Sequence, residues 1–189
     1  MSWHAGNRNL TAAETFDNAQ EVADFFIVSG WTRNAIAAML GNMQGESGIN
    51  PGIWEGLTPY QGGYGLTQWT PYTKLSTWAE AEGETWLDNG PTQCQRIDYE
   101  QIHNIQWFYN SEIGMDPPIT FHQFTESMLP INTLTNYFLW FYEHPADPGP
   151  TTQATRQGYA AYWDQNLDWT GAKTFPVWLL FKFNKRRWL

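Results

Sequence analysis

The segment "LTNYFLWFY", residues 134–142, is apolar almost all the way round a helical wheel. Such a helix cannot lie on a surface and reads as the central buried helix of the fold. The rest of the chain must supply amphipathic elements to enclose it, and the periodicity does. "LTAAETFDNAQEVADFFIVSG" opens with Thr11 and Glu14 at capping-box spacing; Val22, Phe25, Phe26 and Gly30 then read as an amphipathic helix with a glycine stop. A second helix begins with Thr32 as N-cap and turns Ile36, Met39, Leu40 and Met43 inward. Further helices are expected over roughly 72–82, 92–110, 120–128, 131–143 and 151–165. Residues 51–63 are rich in Pro and Gly and read as a loop, and "YGLTQWT", residues 64–70, reads as a short strand of a small hairpin. The expected fold class is therefore mainly α with a small β-hairpin (α+β).

The 189 residues suit one domain with a core of its own. A composition shift near Gly171 sets off "TGAKTFPVWLLFKFNKRRWL", so residues 1–170 are expected to form the domain and 171–189 an appendage or the start of a further segment. With Cys94 alone, no internal disulfide can form. "MSWHAGNRNL" lacks a basic start followed by an apolar run, so no signal peptide is expected, and no apolar run is long enough to predict a membrane span. A net charge of −9 argues against nucleic acid as a partner. The acidity is concentrated: Lys182, Lys185, Arg186 and Arg187 put four cations in the tail, leaving −13 on the first 181 residues. Aromatics make up 17% of the chain, which points to a densely packed core, a sugar-stacking groove, or both.

One carboxylate stands out. "MLGNMQGESGIN", residues 39–50, carries an apolar helix face into Glu46 and then breaks. With Ile36 at zero on the wheel, Glu46 falls near about 280°, at the edge of the buried stripe and at the helix C-terminus. Partial burial and the negative end of the helix dipole both disfavour its charged form, giving the raised pKa that a general acid requires. A surface acid at a fraying helix end is the other reading. The aromatic and amide groups that follow, Trp54, Tyr60, Tyr64, Gln68 and Trp69, are the material of a carbohydrate groove, although each aromatic taken singly is as readily a core residue.

"AIAAMLGNMQGESGINPGIWEG", then "GYGLTQWTP", then "FYEHPADP" with a later Arg156 and "AAYW", together resemble the phage tail lysozyme family over about residues 10–167. Within that family the chain is similar to the podoviral lysozyme domains. The resemblance implies a lysozyme-like fold and cleavage of the glycan strand of peptidoglycan. It places Glu46 at the catalytic acid and Tyr64 to Trp69, with Thr67 and Gln68, on the hairpin that lines the cleft. It also implies a virion protein at the tail tip, with other tail proteins as possible partners, or an endolysin released from the host cytoplasm.

Glycosidases commonly use a second carboxylate. Glu55, Glu143, Asp98 and Asp147 are available; Glu55 lies on the loop across from Glu46, although an amide stands there in the related podoviral domain. Glu143 ends the central helix and is expected to form a structural ion pair with Arg156. A single-glutamate enzyme, with Thr67 and Gln68 placing water or substrate, stays open, as does a lytic transglycosylase. Cys94 shares a helix face with Ile97, Ile105 and Phe108 and reads as core rather than as a partner for His144. His4, His103, His122 and His144 have no ligand spacing, so neither metal nor other cofactor is expected. "GGYG" lacks the Lys-Ser/Thr of a phosphate loop. A non-catalytic wall- or receptor-binding protein on the same fold is the alternative from another class.

Overall fold

A computed structural model describes residues 3–109 and 117–170. The described part contains seven α-helices: α1 (Ala12–Val28), α2 (Arg33–Ser47), α3 (Thr73–Ala81), α4 (Gly90–His103), α5 (Phe121–Thr125), α6 (Ile131–Phe138) and α7 (Pro150–Asn166). The caps fall where the sequence puts them. Thr11 and Glu14 form a reciprocal capping box, and the Thr32 side chain accepts from the Ala35 N–H. No described helix is long and apolar enough to cross a membrane.

The expected hairpin is absent. Among the described residues there is no strand; only isolated bridges join Trp54 to Tyr64 and Tyr64 to Trp69. The segment 64–70 turns back on itself, with Gly65 at φ +79° and Gln68 at φ +49°, so its β-forming residues do not run straight enough to extend these bridges into a ladder. A second correction concerns α4, which stops at Asn104 in a left-handed cap. Cys94 and Ile97 are buried, but Ile105 and Phe108 lie beyond the helix and are exposed, so the four do not share one face. The expected helix end at residue 110 falls outside the described residues, as does the 171–189 appendage.

The helix at the centre of the packing is α2, with α6 beside it. Residues 35 to 43 of α2 are all buried, and α2 packs against α1, α5, α6 and α7. In α6 and its continuation, Trp140 remains only half-buried. Small residues explain the difference. A Cβ on Gly41 would come within 2.6 Å of the Arg156 carbonyl oxygen and 2.7 Å of Ala160 Cβ, so the bare glycine lets α7 approach at backbone distance. One turn on, a Cβ on Gly45 would fall on the Arg156 guanidinium. Asn42, fully buried between these glycines, donates to Thr135 O at 3.1 Å and ties α2 to α6.

After Phe138 the helix widens into a π-helical turn, Leu139–Glu143, which ends at His144 with φ +50°. A π turn adds a residue to the helical ring and shifts the side chains that follow. Tyr142 is buried in the core, stacked on Phe138 at 4.5 Å, while Glu143 lines a cleft.

Candidate active site

Glu46 occupies the last turn of α2, before Gly48 closes the helix in the left-handed conformation. Its side chain is 21% exposed. Arg156 of α7 donates from Nη2 to Glu46 Oε1 at 2.5 Å and from Nη1 to Asn42 O at 2.6 Å. The guanidinium thus satisfies a buried carbonyl and holds one oxygen of the carboxyl group. Burial pushes the Glu46 pKa up; the charge and hydrogen bond of Arg156 pull it down, the nearby Glu55 pushes it up again, and the balance lies above the ordinary carboxylate value.

Glu46 opens on a cleft of about 860 Å³. One wall carries Trp54, Glu55 and Leu57, the floor carries Thr67 and Gln68, and the far side carries Glu143 and His144. Leu57, Gln68 and His144 all have positive φ, between 49° and 60°. Residues other than glycine rarely adopt this conformation, which at His144 caps the π turn.

Glu55 follows a half-buried Trp54 into a short 3-10 turn, Glu55–Leu57. It is exposed, and its Oε2 accepts from the Gly63 N–H at 2.8 Å. Of the other acids, Asp98 accepts from the Trp31 indole at 3.3 Å and Asp147 accepts from the Gly149 N–H at 2.9 Å; neither lines the cleft.

Glu143 departs from expectation. Arg156 has turned its fork to Glu46 and Asn42, and Glu143 Oε1 is shut off from solvent without a hydrogen-bond partner. Burial, reinforced by the charge of Glu46, pushes its pKa well above the ordinary value despite the opposing pull of Arg156. This setting favours the neutral acid. Its stabilising contribution is complete below the ordinary carboxylate pKa and is lost as pH rises through the elevated one. Glu143→Gln, neutral at every pH, is therefore expected to melt about 2–4 °C above the wild type near pH 8 and level with it near pH 4. Thermal unfolding followed by circular dichroism across that range checks this; an unchanged difference at the two pH values would count against a neutral Glu143.

The aromatic groups divide. Trp69 is 2% exposed, and its indole N–H donates to Glu100 Oε1 at 3.0 Å, so it belongs to the core rather than to a sugar platform. Tyr64 is also buried and lines no described cleft, and burial raises its pKa. Trp54 packs within 4.4 Å of the Tyr64 ring and 5.0 Å of Tyr60. Tyr60 is 74% exposed beside it, at the rim. Thr67 and Gln68 do lie on the cleft floor. Thr67 Oγ1 is 3.5 Å from the Tyr142 hydroxyl, and Gln68 Nε2 donates to Gly65 O at 3.0 Å.

Beneath the floor lies a feature that periodicity did not reveal. Glu100, fully buried, accepts from Trp69 at 3.0 Å, from Arg96 at 2.8 Å and from the Tyr142 hydroxyl at 2.5 Å. This network joins α4, the 64–70 turn and the π turn, and so fixes the floor and the far wall relative to each other. The i,i+4 spacing of Arg96 and Glu100 was its only visible trace in the sequence.

The phage tail lysozyme family matches residues 17–167, a span that includes Glu46, the cleft floor, the π turn and Arg156. The chain is also 39% identical to Morphogenesis protein 1 of Bacillus phage B103 over 172 residues. That alignment covers 90% of this chain and 44% of the relative, so the chain spans less than half of that protein's length. With the match running from α1 to the end of α7 and enclosing the whole cleft, the chain belongs to the phage tail lysozyme family.

Proposed function

We propose that this protein is a peptidoglycan glycosidase of muramidase type, which cleaves the MurNAc–GlcNAc glycan strand with Glu46 as general acid. The observation that carries this reading is the setting of Glu46. One carboxyl oxygen is anchored by Arg156, the other takes no protein hydrogen bond, and burial favours the protonated form. The free oxygen can deliver a proton to the bridging oxygen of a strand lying over Thr67 and Gln68. As the glycosidic bond breaks, the leaving sugar departs as an alcohol, and positive charge develops on the ring carbon and ring oxygen of the other sugar. Arg156 then steadies the Glu46 carboxylate formed by proton loss.

Water completes the cleavage. Glu55, which lines the same cleft and acts electrostatically on Glu46, takes the proton of the attacking water in this reading. Glu143 is less suited to that task, because burial favours its protonated form. The family, and the name of the phage B103 relative, support a role in the virion as a tail-associated lysin that opens the wall locally, alongside other tail proteins. The domain proposed for this activity comprises residues 1–170. Near its end, Gln20 exchanges hydrogen bonds of 2.9 Å with the backbone N–H and C=O of Asp168, pinning the segment after α7 to α1.

Digestion of purified Gram-positive peptidoglycan, with mass spectrometry of the soluble fragments, tests the reading. Fragments ending in reducing MurNAc are expected. Anhydro-MurNAc ends would replace water attack with transglycosylation, and an absence of fragments across several wall types would favour a binding protein.

A further inference from the structure

The described residues hold five Lys and Arg side chains, and four are matched to carboxylates: Arg8 to Glu14, Arg33 to Asp164, Arg96 to Glu100 and Arg156 to Glu46. Lys74 is the exception. Its ammonium group donates to a neutral acceptor, Gln106 Oε1, at 2.9 Å. In a chain with 19 acidic residues and 10 basic ones, a cation without a carboxylate beside it needs a physical reason.

Its location supplies one. Lys74 lines a hollow of about 290 Å³ that continues from the main cleft and shares Thr67, Gln68, Thr70, Glu143 and His144 with it. Lys74 is the only Lys or Arg on the described walls of either space. The same hollow is lined by Phe108, 58% exposed, and the ring of His144, which lie 5.7 Å apart. The carboxyl group on this wall, Glu143, has an oxygen that is buried and unpartnered. The hollow therefore combines one cation, the uncharged side chains of Thr67, Gln68, Thr70 and Gln106, the Glu143 carboxyl group and an apolar surface, and it adjoins the main cleft.

We propose that this hollow is a subsite for the carboxylate-bearing peptide branch of peptidoglycan, with Lys74 pairing a branch carboxylate and Phe108 covering its aliphatic part. The proposal rests on the peptidoglycan reading above and adds a contact that a glycan-only cleft lacks. It also accounts for how a strongly acidic protein engages an anionic polymer: attraction is placed at one point beside the scissile bond.

Binding separates this proposal from the activity. Glu46→Gln and the double variant Glu46→Gln/Lys74→Gln are sedimented with insoluble peptidoglycan stripped of teichoic acid. The same material is also used after its carboxylates have been capped as methylamides. Loss of Lys74 is expected to weaken binding to the uncapped wall about three- to fivefold, less so at high salt. Capping is expected to weaken the Lys74-containing protein by a similar factor and to abolish the difference between the two. Equal binding on the uncapped wall, or a difference that survives capping, overturns the proposal. A difference that appears only while teichoic acid is present assigns Lys74 to polymer phosphate and overturns it too. Failure of the glycosidase reading shows separately, as a lack of fragments from the wild type.

Discussion

Glu46→Gln is expected to lower the rate of fragment release from purified walls by about 10²–10⁴-fold. The substitution keeps the shape of the side chain, and the amide oxygen can still accept from Arg156 Nη2. It removes only the transferable proton. Binding to insoluble peptidoglycan and the far-ultraviolet circular dichroism spectrum are therefore expected to survive. The expected wild-type pH profile follows from the same group: with protonated Glu46 as the proposed active form, its fraction is full below its raised pKa and falls as pH rises through it. Any residual activity of the variant should lack that alkaline fall. Retention of full activity by Glu46→Gln would remove the general acid from the mechanism.

Arg156→Met is expected to cost about 2–4 kcal/mol of stability, below the upper range for a buried pair because Glu46 retains some exposure. Three effects combine. Glu46 loses its cation, Asn42 O loses its donor, and the space left open by Gly45 loses the group that fills it. For a chain of this size the melting temperature should fall by roughly 5–15 °C. A second readout distinguishes the electrostatic role from packing. Arg156 lowers the Glu46 pKa through charge and hydrogen bond, so its loss should move the alkaline limb of the activity profile to higher pH. A variant that melts earlier with an unmoved limb would make Arg156 a packing residue only. Arg156→Lys is expected to fall between the two, since one ammonium group cannot reproduce the two-pronged contact with Asn42 O and Glu46.

Helix positions were legible because they depend on local signals, and Thr11, Glu14 and Thr32 cap where their spacing says. The centre of the fold was less so. Apolarity singles out residues 134–142, but enclosure on several sides also favours small residues, and α2 meets that need with Ala35, Ala37, Ala38 and Gly41. A hydropathy pattern scores such a helix as unremarkable. The 64–70 segment misled in the other direction, because β-forming residues around Gly65 and Gln68 serve a tight turn instead of a strand. Within the site, Glu46 was visible from the wheel and the break after it. The partner of Arg156 was not, since both Glu46 and Glu143 border the space it enters and only packing decides between them. Trp69 shows the same limit: an aromatic residue near a cleft is assigned to core or to ligand by its depth, which spacing does not report.

The link between Glu46 and Arg156 spans 110 residues of sequence. During synthesis, α2 is complete long before the helix that carries its counter-charge has been made. The geometry around Glu46 is thus completed only when α7 docks along the two bare glycines of α2, and a loop of that length closes slowly. A chain interrupted between Ala146 and Arg156 would contain Glu46 and the lining of the cleft but lack the group that orients Glu46. Maturation is in this sense built into the order of the elements: the blade is forged early and hafted last.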